Sequence, residues 1–425
     1  MALSKKPTTG MSDILPAQMR VREYVKQVIR ETYSAFGFTQ IETPCVEPIE
    51  NLTSKQGGDN EKLIFRILKR GDKFESAVQK IREGASEPAQ DLVVDSGLRY
   101  DLTVPLVRFY ANNSANLPSP FKALQMGNVW RADRPQRGRF RQFMQCDIDI
   151  LGEPSNLAEI ELIMATTTCL GKLGFQGFQV RINERRILKA MAAYAGFPEE
   201  SYDSVFVTLD KMDKIGMDGV RAELLENGFT EAQVEKYLEL FQGLESASDG
   251  LSYLAQTLGD FLEDGIRENL QEIMEAVSSV KTADYELLFD ATLVRGMSYY
   301  TGTIFEVSLP QYGGSCAGGG RYDKMVGRFT GNDTPACGFS IGFERIVMIL
   351  LEEGFEVPGA AGKKAYLIEK GVGGAQLSGI IAQAQKERAE GTQVLVVRMN
   401  KNKKFQKEQL QAEGYTDFTE FFKEG

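Results

Sequence analysis

The sequence predicts a multidomain α+β protein, and three observations support that fold class. The chain has 425 residues, which is too many for one small hydrophobic core. Residues 188–261 are acidic and helical, unlike the mixed helices and strands on either side, which predicts an inserted helical domain. Residues 364–425 alternate strand and helix, a pattern typical of a small α/β unit.

The composition is that of an ordinary globular protein, with 42% hydrophobic and 25% charged residues. The N-terminus lacks a charged-then-apolar signal pattern. No apolar stretch approaches the roughly 20 residues that span a bilayer. We therefore expect a cytoplasmic protein with no membrane segment.

The chain contains no histidine, which excludes a Ser-His-Asp triad, a Cys-His pair and a histidine-ligated metal. Proton transfer would fall to carboxylates, lysine, tyrosine or the substrate, so the chemistry favours charge stabilisation and positioning. The scattered cysteines form no Cys-x-x-Cys pair, so we expect reduced thiols and no zinc site. They are Cys45, Cys146, Cys169, Cys316 and Cys337.

The elements before the insertion follow from hydrophobic periodicity and from turn residues. Helices are predicted at 17–36 and 155–173. Strands or extended segments are predicted at 38–42, 64–68, 92–94, 98–103, 122–130, 139–151 and 178–182. A charged loop joins the strands at 122–130 and 139–151.

The elements after the insertion predict a return to a mixed domain and then a short terminal unit. Helices are predicted at 262–280, 339–351, 376–387 and 405–413, and strands at 285–293, 299–309, 365–368 and 393–397. The predicted domains are 1–187 and 262–358 as two parts of one domain, the insertion at 188–261, a linker at 359–363, and 364–425.

The segment 139–150 carries the clearest chemical pattern, because a strand places alternate residues on opposite faces. One face would be core: Phe140, Met144, Cys146, Ile148 and Ile150. The other would present Arg139, Arg141, Phe143, Gln145, Asp147 and Asp149. This order from cationic to aromatic to anionic suits a ligand with an anionic end, a flat ring and a cationic end. The alternative is a solvated sheet face with mixed charges.

Residues 131–150, an arginine after one strand, a charged loop and a second strand that opens with Arg-Phe-Arg-Gln-Phe, resemble motif 2 of the class II aminoacyl-tRNA synthetases, and 133–143 is similar to the histidyl-tRNA synthetase family in particular. Residues 338–345 resemble motif 3, and the first helix and strand with Thr43-Pro44 resemble motif 1, the dimer-forming element. Residues 293–306 and 317–323 resemble two signatures of that family, and 99–103 its amino-acid-binding segment.

The resemblance implies an antiparallel sheet flanked by helices, a helical insertion and an α/β anticodon-binding-like domain, here shortened to 364–425. It implies activation of L-histidine by ATP to histidyl-adenylate and transfer to tRNA-His, by a cytoplasmic homodimer. Mg²⁺ would come bound to the substrate phosphates, with no metal site in the protein.

The resemblance also implies the ATP-binding residues. Arg131 would hold the α-phosphate and the amino-acid carboxylate, and Arg139 and Arg345 the distal phosphates. Phe143 and Arg345 would sandwich the adenine, whose edge would face Asp133. Arg131 and Arg295 would be the catalytic residues.

The implied histidine site divides between the two ends of the amino acid. Asp101, Thr103 and Gln145 would bind the α-amino group, and Asp149 and Tyr300 the two imidazole nitrogens. The full implied set is Asp101, Thr103, Arg131, Gln145, Asp149, Arg295, Tyr299 and Tyr300. Gln136 and Arg137 would contact the acceptor end of the tRNA.

Some positions depart from the family pattern or allow two interpretations. Ser298 stands where many relatives carry aspartate, and Asp101 and Asp149 where part of the family carries glutamate. The glycines at 318–320 predict either a flexible turn or a backbone that approaches a ligand, and we favour the second. The basic run at 398–407 is either a solvated helix start or a contact with RNA phosphates, on a chain of net charge −10.

A noncatalytic relative, such as the regulatory subunit of ATP phosphoribosyltransferase, is the main alternative to the enzyme. The short C-terminal segment favours that alternative. The enzyme is favoured because the chain keeps Arg131, Arg295, Tyr299, Tyr300 and Arg345. A histidine sensor or a relative acting on another substrate is the third hypothesis.

The predicted catalytic role of Arg295 can be tested directly. Arg295→Ala should retain ATP binding but lose most adenylate formation, because a fixed guanidinium stabilises the charge on the reacting phosphate. Nucleotide binding by calorimetry and histidine-dependent ATP–pyrophosphate exchange separate these effects. Near-normal exchange in the variant would refute the role.

Overall fold

A computed structural model describes residues 3–53, 62–294, 299–358 and 363–424. The chain divides into two compact units. The first contains the residues up to Ser12 together with Gln27–Ile349, and the second contains Asp13–Lys26 and the residues from Leu350 onward. Across the described residues, no helix is both long and apolar enough to cross a membrane.

The strands form one large sheet and two small ones. In chain order they are β1 Thr39–Ile41, β2 Val46–Pro48, β3 Arg66–Leu68, β4 Val94–Leu98, β5 Phe121–Trp130, β6 Gln142–Leu151, β7 Phe178–Glu184, β8 Tyr285–Phe289, β9 Thr303–Leu309, β10 Gly314–Arg321, β11 Ala336–Ile341, β12 Lys363–Ile368, β13 Gln393–Arg398 and β14 Tyr415–Phe421.

The large sheet has eight strands in the order β1-β5-β6-β11-β10-β9-β7-β8. Neighbours from β5 through to β7 are antiparallel, whereas the edge strands β1 and β8 pair in parallel. The antiparallel sheet flanked by helices is therefore confirmed. The strands β2, β4 and β3 form a separate antiparallel sheet.

The α-helices of the structure include every long helix that the sequence predicts. They are α1 Pro16–Ala35, α2 Ile49–Thr53, α3 Asp72–Arg82, α4 Ala89–Val93, α5 Thr103–Asn113, α6 Leu157–Lys172, α7 Arg185–Ala195, α8 Tyr202–Leu209, α9 Met212–Glu226, α10 Glu231–Ser246, α11 Gly250–Leu258, α12 Ile266–Ser279, α13 Lys324–Thr330, α14 Phe343–Glu352, α15 Gly374–Ala389 and α16 Lys403–Ala412. Five of them, α7 to α11, account for the helical region at 188–261 and belong to the first unit.

Several predicted boundaries were wrong. The strand expected from Arg139 begins at Gln142, and the helix expected from Phe339 begins at Phe343, because residues up to Ile341 complete β11. Leu92 and Val93 end α4 instead of forming a strand. The helices α5 and α13 and the strand β14 were not predicted.

The glycine-rich segment is a buried strand, so the less favoured interpretation, a flexible turn, was wrong. β10 lies between β9 and β11, and a side chain at Gly319 would place its Cβ 1.9 Å from the carbonyl oxygen of Gly338. At Gly320 the Cβ would lie 2.6 Å from the carbonyl oxygen of Thr303. Glycine is needed here because neighbouring strands approach closely.

A buried ion pair joins the end of β10 to α6. Arg321 donates through Nε and Nη2 to the two carboxylate oxygens of Glu159, at 2.7 and 2.6 Å. Both side chains are at most 10% exposed. A two-point pair of this kind fixes direction as well as distance, so it holds α6 against the sheet in one register.

The C-terminal residues form a three-stranded parallel sheet in the order β13-β12-β14, with α15 and α16. Its core contains Tyr366, Ile368, Val372, Ile380, Ala384 and Val394. Lys403 and Lys407 of the basic run each lie 2.6 Å from Glu420. The predicted α/β unit is present, and two of its lysines are partly neutralised within it.

Candidate functional site

A cavity of about 450 Å³ lies on one face of the large sheet, over β6, β10 and β11. It is lined by eleven of the residues predicted to bind ATP or histidine. They are Asp101, Thr103, Arg131, Asp133, Arg139, Phe143, Gln145, Asp149, Tyr299, Tyr300 and Arg345. Residues distant in sequence are therefore brought to one place.

Alternation along β6 brings one face of that strand to the cavity. Phe143, Gln145 and Asp149 line it, together with Asp147. Cys146, Ile148 and Ile150 are buried on the opposite face, as predicted.

Two residues predicted for the core face line the cavity instead. Phe140 precedes β6 and so does not follow its alternation, and Met144 is half-buried near the start of the strand. Arg139 and Arg141 also lie before the strand. A turn in which Gln136 and Arg139 exchange backbone hydrogen bonds at 3.1 and 2.9 Å returns Arg139 to the cavity. The Arg141 side chain bonds instead to the Asp133 carbonyl oxygen.

One end of the cavity, which we call the acidic end, contains Asp101, Asp147 and Asp149. Each of these three residues is at most 3% exposed. Burial raises the pKa of Asp101 to about 6 and that of Asp149 to about 7. Burial, and then the neighbouring Asp149 carboxylate, hold the pKa of Asp147 well above its ordinary value.

Three buried acceptor atoms at the acidic end have no hydrogen-bond partner among the described residues. They are Oδ2 of Asp101, Oδ2 of Asp149 and Oε1 of Gln145. The other ends of these groups are held in place: Tyr322 donates its hydroxyl to Asp149 Oδ1 at 2.5 Å, and Gln145 Nε2 donates to Ser340 Oγ at 3.0 Å. Native proteins rarely leave buried polar atoms unpaired, so these three atoms mark positions where a water or a ligand would hydrogen-bond.

Asp149 fits because its neighbour in β11 is glycine. Gly338 lies opposite Asp149 in the sheet register, and a Cβ there would lie 2.0 Å from Asp149 Oδ1.

Sequence analysis did not single out Tyr322 or Ser340. Each lies inside a segment that resembles a family motif, but only the fold places them beside Asp149 and Gln145.

A second part of the lining, which we call the arginine end, contains Arg131, Arg139 and Arg345, and Arg131 is close enough to Asp101 and Asp147 to act on their carboxylates electrostatically. Arg131 donates through Nε to the Tyr100 carbonyl oxygen at 2.9 Å, and its guanidinium lies 5.2 Å from the centre of the Phe143 ring. A guanidinium held over an aromatic face keeps its remaining N–H groups available to an anion.

The other two arginines differ in how they are held. Arg345 donates to the Ser315 carbonyl oxygen and lies 5.3 Å from the centre of the Tyr312 ring. The Arg139 side chain is 50% exposed and lies 3.7 Å from Asp133. The lining of the cavity therefore combines cationic groups with carboxylates.

Two tyrosines close one side of the cavity. Tyr299 and Tyr300 are each 9% exposed, and their ring centres are 4.8 Å apart. Burial raises the pKa of Tyr299 well above its ordinary value, so this hydroxyl keeps its proton. Arg295 and Ser298 lie outside the described residues.

The predicted tRNA contacts, Gln136 and Arg137, are exposed on the loop before β6 and do not line the cavity. Within the described parts of the chain, no three acidic or cysteine side chains are placed to hold a metal ion. The geometry leaves the arginine end open to a polyanionic ligand.

Residues 95–346 match the protein family described as histidyl-tRNA synthetase. The chain is 45% identical over 374 residues to a histidine–tRNA ligase from Leifsonia xyli, covering 87% of this chain and 84% of the relative. It is 36% identical to a histidine–tRNA ligase from Flavobacterium johnsoniae, covering 82% and 78%.

Solved structures agree on the fold. A histidyl-tRNA synthetase from Nostoc sp. PCC 7120 superposes with a TM-score of 0.75 at 27% identity, covering 96% of this chain and 90% of that one. A Bacillus halodurans protein described as an ATP phosphoribosyltransferase regulatory subunit/histidyl-tRNA synthetase gives 0.78 at 20% identity, covering 100% of both chains. At that identity the second match supports the fold alone.

An antiparallel sheet that presents arginines and buried carboxylates to one cavity is the architecture of a class II aminoacyl-tRNA synthetase. The family match covers more than half of the sequence, and relatives of up to 45% identity agree with it. The chain belongs to the histidyl-tRNA synthetase family.

The raised pKa of Asp149 predicts a pH-dependent stability cost. The unfolded chain releases this proton near pH 4 and the folded protein near pH 7, so stability from this group is lost as pH rises between them. Asp149→Asn should stabilise the ligand-free protein at pH 8 by on the order of 3 kcal/mol, and by less at pH 5.

Urea unfolding at pH 5 and at pH 8 measures the difference in unfolding free energy between the parent protein and Asp149→Asn. Asp218→Asn is the matched control, because that side chain is exposed on α9. If Asp149→Asn stabilises the protein equally at pH 5 and pH 8, the raised pKa of Asp149 is contradicted.

Proposed function

We propose that this chain activates L-histidine with ATP, forming histidyl-adenylate and pyrophosphate, and then transfers the histidyl group to tRNA-His. The observation that carries the proposal is the set of three unpaired, buried acceptor atoms on Asp101, Gln145 and Asp149. Leaving each unpaired costs roughly 1–3 kcal/mol, so the site favours a ligand rich in N–H donors.

Histidine supplies donors in the required number and type. Its ammonium group has three N–H bonds, which suit Asp101 Oδ2 and Gln145 Oε1, with Thr103 beside them. Neutral imidazole has one donor and one acceptor nitrogen. Asp149 would accept from the first, and the hydroxyl of Tyr300 would donate to the second, with Tyr299 packed against it.

The arginine end would bind ATP. Arg131 would bridge the histidine carboxylate and the α-phosphate, while Arg139 and Arg345 would bind the distal phosphates. Phe143 offers an aromatic face for adenine, and Asp133 a polar group for its edge. These assignments follow from the family resemblance and agree with the cationic groups of the cavity lining.

Catalysis would rest on charge stabilisation. The histidine carboxylate attacks the α-phosphorus, the bond to the bridging oxygen breaks, and pyrophosphate leaves. Arg131, joined by Arg295, would stabilise the charge on the non-bridging oxygens. The nucleophile is already ionised, so no protein base is needed. In the second step a terminal ribose hydroxyl of the tRNA attacks the acyl carbon and AMP leaves.

Mg²⁺ fits this site as an ion carried by the substrate. Glu306 and Glu344 line the cavity, and carboxylate oxygens are ligands that Mg²⁺ takes alongside phosphates and water. The ion would neutralise phosphate charge.

The main alternative, a noncatalytic ATP phosphoribosyltransferase regulatory subunit, is not favoured, because relatives of 36–45% identity are named histidine–tRNA ligase.

The test is histidine-dependent ATP–pyrophosphate exchange, followed by charging of purified tRNA. Asp149→Asn should lower kcat/KM for histidine about 10- to 100-fold with little change in the KM for ATP, because a charged hydrogen bond to the imidazole is lost. Asp218→Asn, which changes an exposed carboxylate on α9, serves as the control. Absence of exchange in the parent protein overturns the proposal, and exchange without charging overturns its second half.

We also propose a cytoplasmic homodimer. The segment from α1 to Pro44 resembles motif 1, and β1 pairs with β5 on one side only within the described sheet. Sedimentation equilibrium at micromolar concentration should give twice the chain mass. A monomer mass at that concentration would refute the dimer. Gln136 and Arg137 remain the proposed contacts with the acceptor end of the tRNA, and the basic run at 398–407 is the proposed contact with its phosphates.

A further inference from the structure

We propose that Asp147 and Ser340 are positioning residues that fix the side-chain amide of Gln145, with its oxygen toward the substrate ammonium group. This inference rests on the proposed function, because it concerns the same histidine site. It assigns a role to two polar residues of the acidic end that the proposed mechanism leaves unused.

The three side chains form one hydrogen-bonded group between β6 and β11. Ser340 lies opposite Asp147 in the register, and its hydroxyl donates to Asp147 Oδ1. Gln145 Nε2 donates to Ser340 Oγ at 3.0 Å and reaches Asp147 Oδ2 at 3.5 Å. Asp147 is 3% exposed and Gln145 is 9% exposed, so water does not compete freely for these groups.

The direction of this chain of hydrogen bonds follows from the number of protons. In the structure the single proton of the Ser340 hydroxyl goes to Asp147 Oδ1, so with Asp147 ionised the Ser340 oxygen offers only lone pairs to Gln145. The amide must therefore present its NH₂ group to Ser340. In the flipped orientation, the amide oxygen would face the lone pairs of Ser340 and a carboxylate oxygen of Asp147.

The fixed orientation of the Gln145 amide determines which atom faces the cavity. Gln145 Oε1 is buried, lacks a partner among the described residues and belongs to the cavity lining. An oxygen in that position accepts from an ammonium group, whereas an NH₂ group there would repel it. Asp147 and Ser340 thus determine whether Gln145 favours or opposes an α-amino group.

The experiment compares histidine with 3-(imidazol-4-yl)propionate, which lacks only the α-amino group. Ser340→Ala and Asp147→Asn should each weaken histidine binding about 10-fold and leave binding of the analogue unchanged. Ser340→Thr keeps the hydroxyl and should retain histidine binding. Thr167→Val removes another buried hydroxyl, which bonds to the Ile163 carbonyl oxygen, and should change neither ligand.

Calorimetry measures both ligands, and thermal unfolding checks that each variant is folded. Equal weakening of the two ligands would mean a general structural role and would overturn the inference, as would unchanged histidine binding in both variants. The parent protein provides a separate result. If it binds histidine no more tightly than the analogue, the ammonium site in the proposed function is wrong.

Discussion

The structure of this site depends on the burial of three carboxylates on one face of an antiparallel sheet. Asp101, Asp147 and Asp149 have lost nearly all of their contact with water, and burial raises the pKa of each. Such groups are tolerated because hydroxyls hold them, such as that of Tyr322 on Asp149. One oxygen of Asp101 and one of Asp149 have no partner among the described residues, and the proposed ligand site rests on these two atoms together with Gln145 Oε1.

The sheet can hold these groups because glycine creates the space. Gly338 leaves room for the Asp149 carboxylate, and Gly319 allows β10 to lie against β11. The same close packing fixes Ser340 opposite Asp147. Backbone spacing, more than any single contact, therefore sets the geometry of the acidic end.

Sequence periodicity predicted the part of the site that lies on one strand. Gln145 and Asp149 follow the alternation of β6, so their shared face could be inferred without a structure. Arg139 was placed on the same strand wrongly, because its return to the cavity depends on a turn closed by backbone hydrogen bonds. The family resemblance supplied Asp101, Tyr300 and Arg345, which no local pattern connects.

Features that depend on neighbouring strands were beyond local patterns. The glycines of β10 lack side chains to alternate, so their strand was invisible to periodicity. Tyr322 and Ser340 act through partners far away in sequence.

The raised pKa of Asp149 has a further effect. Near pH 7 the empty pocket is a mixture of protonated and ionised forms, and a ligand that needs the carboxylate must displace a proton to the buffer. Binding of such a ligand is then coupled to proton release, and the measured heat includes the ionisation enthalpy of the buffer.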